Sequence, residues 1–144
     1  MKRALYLLSA LSLISAAPAM AGDLIYPGGT MLTEGVAGKP YWAVQANCAG
    51  VYGATSSFLA ERGDDQGAAA AKALGVAFFK DAVDRVMKDR GVARPAAIEA
   101  LSPAVVKGRT ETLGMLQADG DGPSSKWNFA RSACLDVRDA YAAQ

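Results

Sequence analysis

Apolar residues recur three and four positions apart through most of the chain after residue 39, and this spacing predicts four helical segments. We expect the first helix to begin at Pro40, because proline suits the first helical position, and to end at Gly63. The remaining positions of this helix are rich in alanine and glycine. These small residues either admit a closely packed partner helix or reflect an alanine-rich composition. The apolar stripe of the helix consists of Tyr41, Val44, Cys48, Val51, Thr55 and Phe58.

The second helix is expected to run from Asp64 or Asp65 to Arg90, with Gly91 just past its end. Acidic residues at its start and basic residues at its end both interact favourably with the helix dipole. Its predicted core stripe consists of Val76, Phe79, Val83 and Val86, widened by Leu74 and Phe78. The ion pairs expected on its outer face, one helical turn apart, are Asp81 with Arg85 and Asp84 with Lys88.

The third helix is expected to be broken into a short piece over 95–101 and a restart at Pro103, with Ser102 as the cap. Its predicted stripe consists of Val106, Leu113 and Leu116. A loop over 119–123 then leads to the fourth helix, capped by Ser124 or Ser125. The stripe of that helix consists of Trp127, Ala130, Cys134, Val137 and Tyr141.

These elements predict an all-α fold, a small antiparallel four-helix bundle with an irregular N-terminal arm. No segment shows the sustained period-two alternation of a strand, so we expect no sheet. The chain contains two cysteines, and each lies on the inner stripe of its helix. We therefore predict a structural disulfide between Cys48 and Cys134 that makes the first and last helices neighbours. No Cys-x-x-Cys motif is present, so a redox-active pair is not indicated.

The first 21 residues have the pattern of a secretion signal. Lys2 and Arg3 precede an apolar stretch over 4–16, and Ala19-Met20-Ala21 supplies the small residues that a signal peptidase requires. We expect cleavage after Ala21 and a periplasmic or secreted protein without a later membrane span. Residues 22–39 contain several glycines and Pro27 and are expected to form the irregular arm, and residues 40–144 the helical domain.

Charge and composition exclude several classes of function. The net charge is +1 for the whole chain and −1 once Lys2 and Arg3 are removed, which gives no electrostatic footprint for nucleic acid. The chain contains no histidine, so the usual general base and the commonest zinc and haem ligand are missing. We therefore predict no catalytic residue, no cofactor and no metal site.

One loop invites comparison with a calcium-binding loop. Residues 117–128 place Asp119, Asp121 and Gly122 at the third, fifth and sixth of its twelve positions. Gln117 stands at the first position, however, and Asn128 at the last, where a bidentate glutamate is needed. We interpret the segment as a turn between two helices.

Three hypotheses about function remain. The one that the sequence favours is a non-catalytic interaction module that binds a protein of the cell envelope, such as an assembly factor, an inhibitor or an immunity-type protein. The second is a carrier of a small apolar ligand or lipid in the bundle. An enzyme is the least favoured, because no cluster of reactive side chains is evident. The aromatic residues that would line a carrier's cavity, or alternatively only fill the core, are Tyr41, Trp42, Tyr52, Phe58, Phe78, Phe79 and Trp127.

Overall fold

The computed structural model describes residues 40–142, with side chains described as far as residue 139. The predicted signal peptide, the predicted arm over 22–39 and the side chain of Tyr141 lie outside this part of the chain. Within it the fold is all-α, as predicted, and its regular elements are four helices. They are α1 (Tyr41–Glu61), α2 (Asp65–Arg90), α3 (Arg94–Asp119) and α4 (Lys126–Ala142).

The ends of the helices follow the capping residues in the sequence. The Asp64 carboxylate accepts a hydrogen bond from the backbone amide of Gly67 at 2.9 Å. The Ser125 hydroxyl oxygen accepts one from the backbone amide of Asn128 at 3.2 Å. Gly91 ends α2 with a φ of 63°, a left-handed conformation that glycine adopts without strain. Pro40 differs from expectation by one position, since it precedes the first helical residue and acts as the N-cap.

Consecutive helices run in opposite directions. The Ser56 hydroxyl, late in α1, donates to the carbonyl oxygen of Ala68, early in α2. The pairs between α1 and α4 also run in reverse order, with Tyr52 bonded to Arg131 and Thr55 to Trp127. The predicted antiparallel bundle is confirmed, and so is the adjacency of α1 and α4 through the disulfide.

Helix α1 is the central element, because α2, α3 and α4 all pack against it. The closest approach is to α3, where a Cβ on Gly50 would overlap the Val105 carbonyl and one on Gly108 the Asn47 carbonyl. On α2, a Cβ on Gly75 would lie 3.3 Å from the carbonyl oxygen of Ala49. Of the two explanations for the small residues of α1, the structure supports close helix packing.

The apolar stripes of α2 and α3 are rotated from the predicted ones. Val76 is 61% exposed and Val106 is 62% exposed, so placing these two valines in the core was wrong, and Leu113 is exposed as well. Small residues bring the backbones of α2 and α3 close to α1, and this turns the larger valines outward. The side of α2 that is buried carries Ala68, Ala71, Gly75, Phe78, Ala82, Val83 and Val86, and that of α3 carries Ala97, Leu101, Gly108 and Thr112.

The predicted break in the third helix is also wrong, because α3 continues through Pro103. Proline removes one backbone hydrogen bond from a helix interior. Pro103 takes the donor from the Glu99 carbonyl oxygen, while the neighbouring Ser102 hydroxyl donates to the Ile98 carbonyl oxygen at 2.9 Å. Leu101 is fully buried before the proline and Gly108 is buried after it, so packing against α1 holds both halves in one helix.

The ion pairs on α2 differ from those expected. Asp84 pairs with Lys80 at 2.8 Å and with Arg94 at 3.7 Å rather than with Lys88, and Arg85 pairs with Asp89 at 2.9 Å. The hydrogen bond from Lys80 lowers the pKa of the Asp84 carboxyl. These pairs are solvent-exposed or nearly so, and such pairs contribute little to stability.

Candidate functional site

An apolar groove runs between α2 and α3 above α1, with a volume of about 540 Å³. Its floor is α1, through Ala49, Gly53, Ser56 and Ser57. One wall is Val105 of α3. The other wall is α2, through Lys72, Gly75, Val76 and Phe79. We call this feature the α2–α3 groove. It is open to solvent along one side.

The groove exists because its floor is built from small side chains. Ala49, Gly53 and Ser57 follow one another at intervals of four, so they form one row along α1. A Cβ placed on Gly53 would meet nothing within 4 Å, which makes this position an empty part of the floor. Helices α2 and α3 each pack extensively on α1 but touch one another much less, and the gap between them is the groove.

A second, smaller pocket of about 310 Å³ continues from the same row of α1. Ser57 lines both the groove and this second pocket, which we call the distal pocket. Its other lining residues are Phe58 and Glu61 of α1 and Arg109, Leu113, Leu116 and Gln117 of α3. Exposed Val76 therefore lines the α2–α3 groove, and exposed Leu113 lines the neighbouring distal pocket.

The seven aromatic residues singled out from the sequence occupy different places. Tyr41, Tyr52, Phe78 and Trp127 are buried in the core, where the rings of Tyr52 and Phe78 stack at 5.7 Å. The Arg90 guanidinium lies over Trp42, with its Cζ atom 4.6 Å from the centroid of the ring. Only Phe79 lines the α2–α3 groove, and Phe58 lines the distal pocket. That these aromatics contact a ligand stays a prediction.

Helix α4 is fastened to α1 on a different side from the groove, since no α4 residue lines it. Cys48 and Cys134 form the predicted disulfide, with their Cα atoms 5.5 Å apart. The Trp127 indole donates to the Thr55 hydroxyl at 3.0 Å, and the Tyr52 hydroxyl donates to the Arg131 carbonyl oxygen at 3.1 Å. Burial raises the pKa of the Tyr52 phenol, opposed by the nearby charge of Arg131, so this hydroxyl stays protonated and keeps donating.

Three side chains have buried polar atoms without a hydrogen-bond partner among the described residues. They are both amide atoms of Gln45, the hydroxyl of Thr112 and Nε of Arg131. Leaving a buried polar group unpaired costs about 1–3 kcal/mol. None of these residues lines the α2–α3 groove, so they form no part of the candidate site.

The acidic residues at the end of α3 and in the loop that follows it pair with basic residues. Asp121 pairs with Arg62, and Asp119 lies 3.9 Å from the Lys126 ammonium. No group of three or more potential metal ligands forms among the described side chains. The side-chain amide of Asn128 donates to the Pro123 carbonyl oxygen at 2.8 Å, which closes the turn.

Calcium is accordingly expected to leave the stability of the protein unchanged. A chelator should not lower the melting temperature, and added calcium should not raise it, because a ligand that does not bind the folded state shifts nothing. Thermal unfolding with and without each reagent measures this. A fall in melting temperature with the chelator that calcium reverses would make the loop a binding site.

The sequence does contain a signal for the groove, but the aromatic residues do not supply it. The informative signal is the row of small residues at intervals of four, Ala49, Gly53 and Ser57, in a helix packed on several sides.

Within residues 40–142, no helix is both long enough and apolar enough to cross a membrane. Comparison with protein-family models, with curated proteins and with solved structures found no significant match to this chain.

Proposed function

We propose that this chain is an exported, non-catalytic binding module of the cell envelope that carries a small apolar ligand in the α2–α3 groove. The observation that supports the proposal is the groove itself, an apolar depression of about 540 Å³ on a disulfide-linked core. Ligand sites in proteins typically have volumes of about 300–1,000 Å³ and apolar linings with a few polar groups.

The occupant is where this proposal departs from the hypothesis that the sequence favoured. A partner protein requires a broad contact, since stable protein interfaces bury about 800 Å² on each side. The floor of the α2–α3 groove, from Ala49 to Ser57, runs for about 12 Å along α1 at 1.5 Å per residue. These dimensions support an elongated hydrocarbon better than a folded partner.

Export and the absence of catalysis are proposed on separate grounds. The first 21 residues have the pattern of a secretion signal, and a disulfide suits an oxidising compartment. The groove is lined by hydrocarbon, two serines and one lysine, and both serine hydroxyls donate to backbone carbonyl oxygens rather than to the lysine. Binding is the activity that this lining supports.

Filling the floor of the groove tests the proposal. Nile red, a neutral apolar dye whose fluorescence rises in apolar surroundings, is expected to bind the exported chain saturably. Gly53→Leu should weaken binding about tenfold or more, because the new side chain occupies the space that the dye would fill. Fluorescence titration measures the affinity.

Gly114→Leu is the matched control. Gly114 is an exposed helical glycine of α3 that also has nothing within 4 Å of its Cβ position, and it lines neither depression. Both substitutions remove a helix-weakening glycine and should not reduce stability. Equal dye binding by the two variants would mean that the groove is not the site.

A further inference from the structure

We propose that the ligand of the α2–α3 groove is a long-chain carboxylic acid, with its carboxylate at the Ser57 end and its hydrocarbon chain against Val76, Phe79 and Val105. This inference rests on the function proposed above and adds the chemistry of the ligand. It is carried by the uneven distribution of polar groups along the groove and by the charges at one end.

The groove has an apolar end and a polar end. Phe79 and Val105 lie beside Ala49, whereas Ser56, Ser57 and Lys72 lie toward the other end, next to the distal pocket. The Ser57 hydroxyl donates to the Gly53 carbonyl oxygen at 3.3 Å, a long hydrogen bond. A ligand carboxylate at this end would offer Ser57 a stronger acceptor, since charge-assisted hydrogen bonds are the stronger ones.

The charges at the polar end favour an anion. Lys72 lines the groove on one side of Ser57, and Arg109 lines the distal pocket on the other. Neither cation forms an ion pair with a described residue, whereas Lys80, Arg85 and Lys107 each do. Glu61 is the one carboxylate among the lining residues, so the two cations leave a net charge of +1 there.

A single hydrocarbon chain matches the shape of the remaining space. The floor is one row of small residues, and Val76 and Phe79 on one side face Val105 on the other. An amphiphile with one chain would bury its methylenes against these walls and leave its charged group near solvent, where its desolvation costs least. The hydroxyl of an alcohol could accept a hydrogen bond from the same cations, but as a neutral group it gains no ion-pair attraction to them.

Competition between two ligands of equal chain length tests the proposal. Lauric acid and lauryl alcohol are each titrated against bound Nile red, below the concentration at which the acid forms micelles and below the solubility of the alcohol. The acid is expected to bind about five- to tenfold tighter at low salt, because each exposed cation contributes about two- to fivefold. The double variant Lys72→Gln with Arg109→Gln should bind the acid as weakly as the alcohol, and the alcohol unchanged.

Lys88→Gln is the control for charge alone, since Lys88 is exposed on α2 outside both depressions. It should leave the preference for the acid intact, and Glu61→Gln should strengthen it. Equal binding of acid and alcohol, or a preference that survives the double variant, would overturn the carboxylate assignment. If neither ligand displaces a dye that depends on Gly53, the occupant is not a single hydrocarbon chain. If the Gly53→Leu substitution leaves the affinity for the dye unchanged, the proposed function itself is overturned.

Discussion

Replacing both Cys48 and Cys134 with alanine is expected to lower the free energy of unfolding by about 2–5 kcal/mol, with little change in helical content. The bond joins residues 86 positions apart, so it removes much of the freedom of the unfolded chain. A loop of this length is worth about 4–5 kcal/mol in the chain-entropy model, and measured values are often smaller. Denaturant unfolding followed by circular dichroism measures the difference.

The serine double variant should be less stable than the alanine variant. Both sulfur atoms are fully buried, and a hydroxyl in their place would need a hydrogen-bond partner. Peptide mapping without reduction should join a peptide containing Cys48 to one containing Cys134. Free thiols in the protein isolated without reductant, or an alanine variant as stable as the parent, would contradict a structural role for the bond.

Gly108→Ala and Gly114→Ala are expected to change stability in opposite directions, although they lie six residues apart on α3. A methyl group on Gly108 would overlap the Asn47 carbonyl of α1, so α1 and α3 must move apart at a cost of about 1–3 kcal/mol. A methyl group on Gly114 meets nothing within 4 Å and should stabilise the helix by about 1 kcal/mol. Parallel denaturant titrations compare the two variants.

A second pair of glycines on α1 repeats the comparison. Gly50→Ala would overlap the Val105 carbonyl and should destabilise, whereas Gly53→Ala projects into the α2–α3 groove and should not. If Gly108→Ala and Gly50→Ala were both as stable as their partners, the close approach of α1 and α3 would be wrong. The opposite signs are diagnostic because helix propensity alone favours alanine at all four positions.

Local sequence signals predicted the helices and most of their ends. Capping by Asp64 and Ser125, and termination at Gly91, depend on the side chain or backbone of the residue itself and on neighbours within one turn. The same locality explains the error at Pro103. Proline weakens a helix wherever it occurs, and only the burial of the flanking turns against α1 shows that α3 continues.

The candidate site was less predictable. Most of the aromatic residues predicted to line a cavity are core residues, because large rings fill space in a packed interior as readily as they line a cavity. Val76 was placed in the core because it is apolar and suitably spaced, yet it forms the wall of the groove. The orientation of a helix depends on which neighbour can approach closest, and that depends on pairs of residues distant in sequence.

The sequence by itself determined the all-α class, because periodicity and caps are properties of each helix taken alone. Short links between successive helices determined the antiparallel order, and the presence of two cysteines, each on an inward stripe, determined the pairing of Cys48 with Cys134. The tertiary structure decided that α1 is the central helix and that α2 and α3 diverge above it. Gly50 and Gly108 let two backbones meet, while Gly53, equally small, meets no neighbour. The same residue type thus closes the bundle at one position and opens a groove at another, according to what lies opposite it.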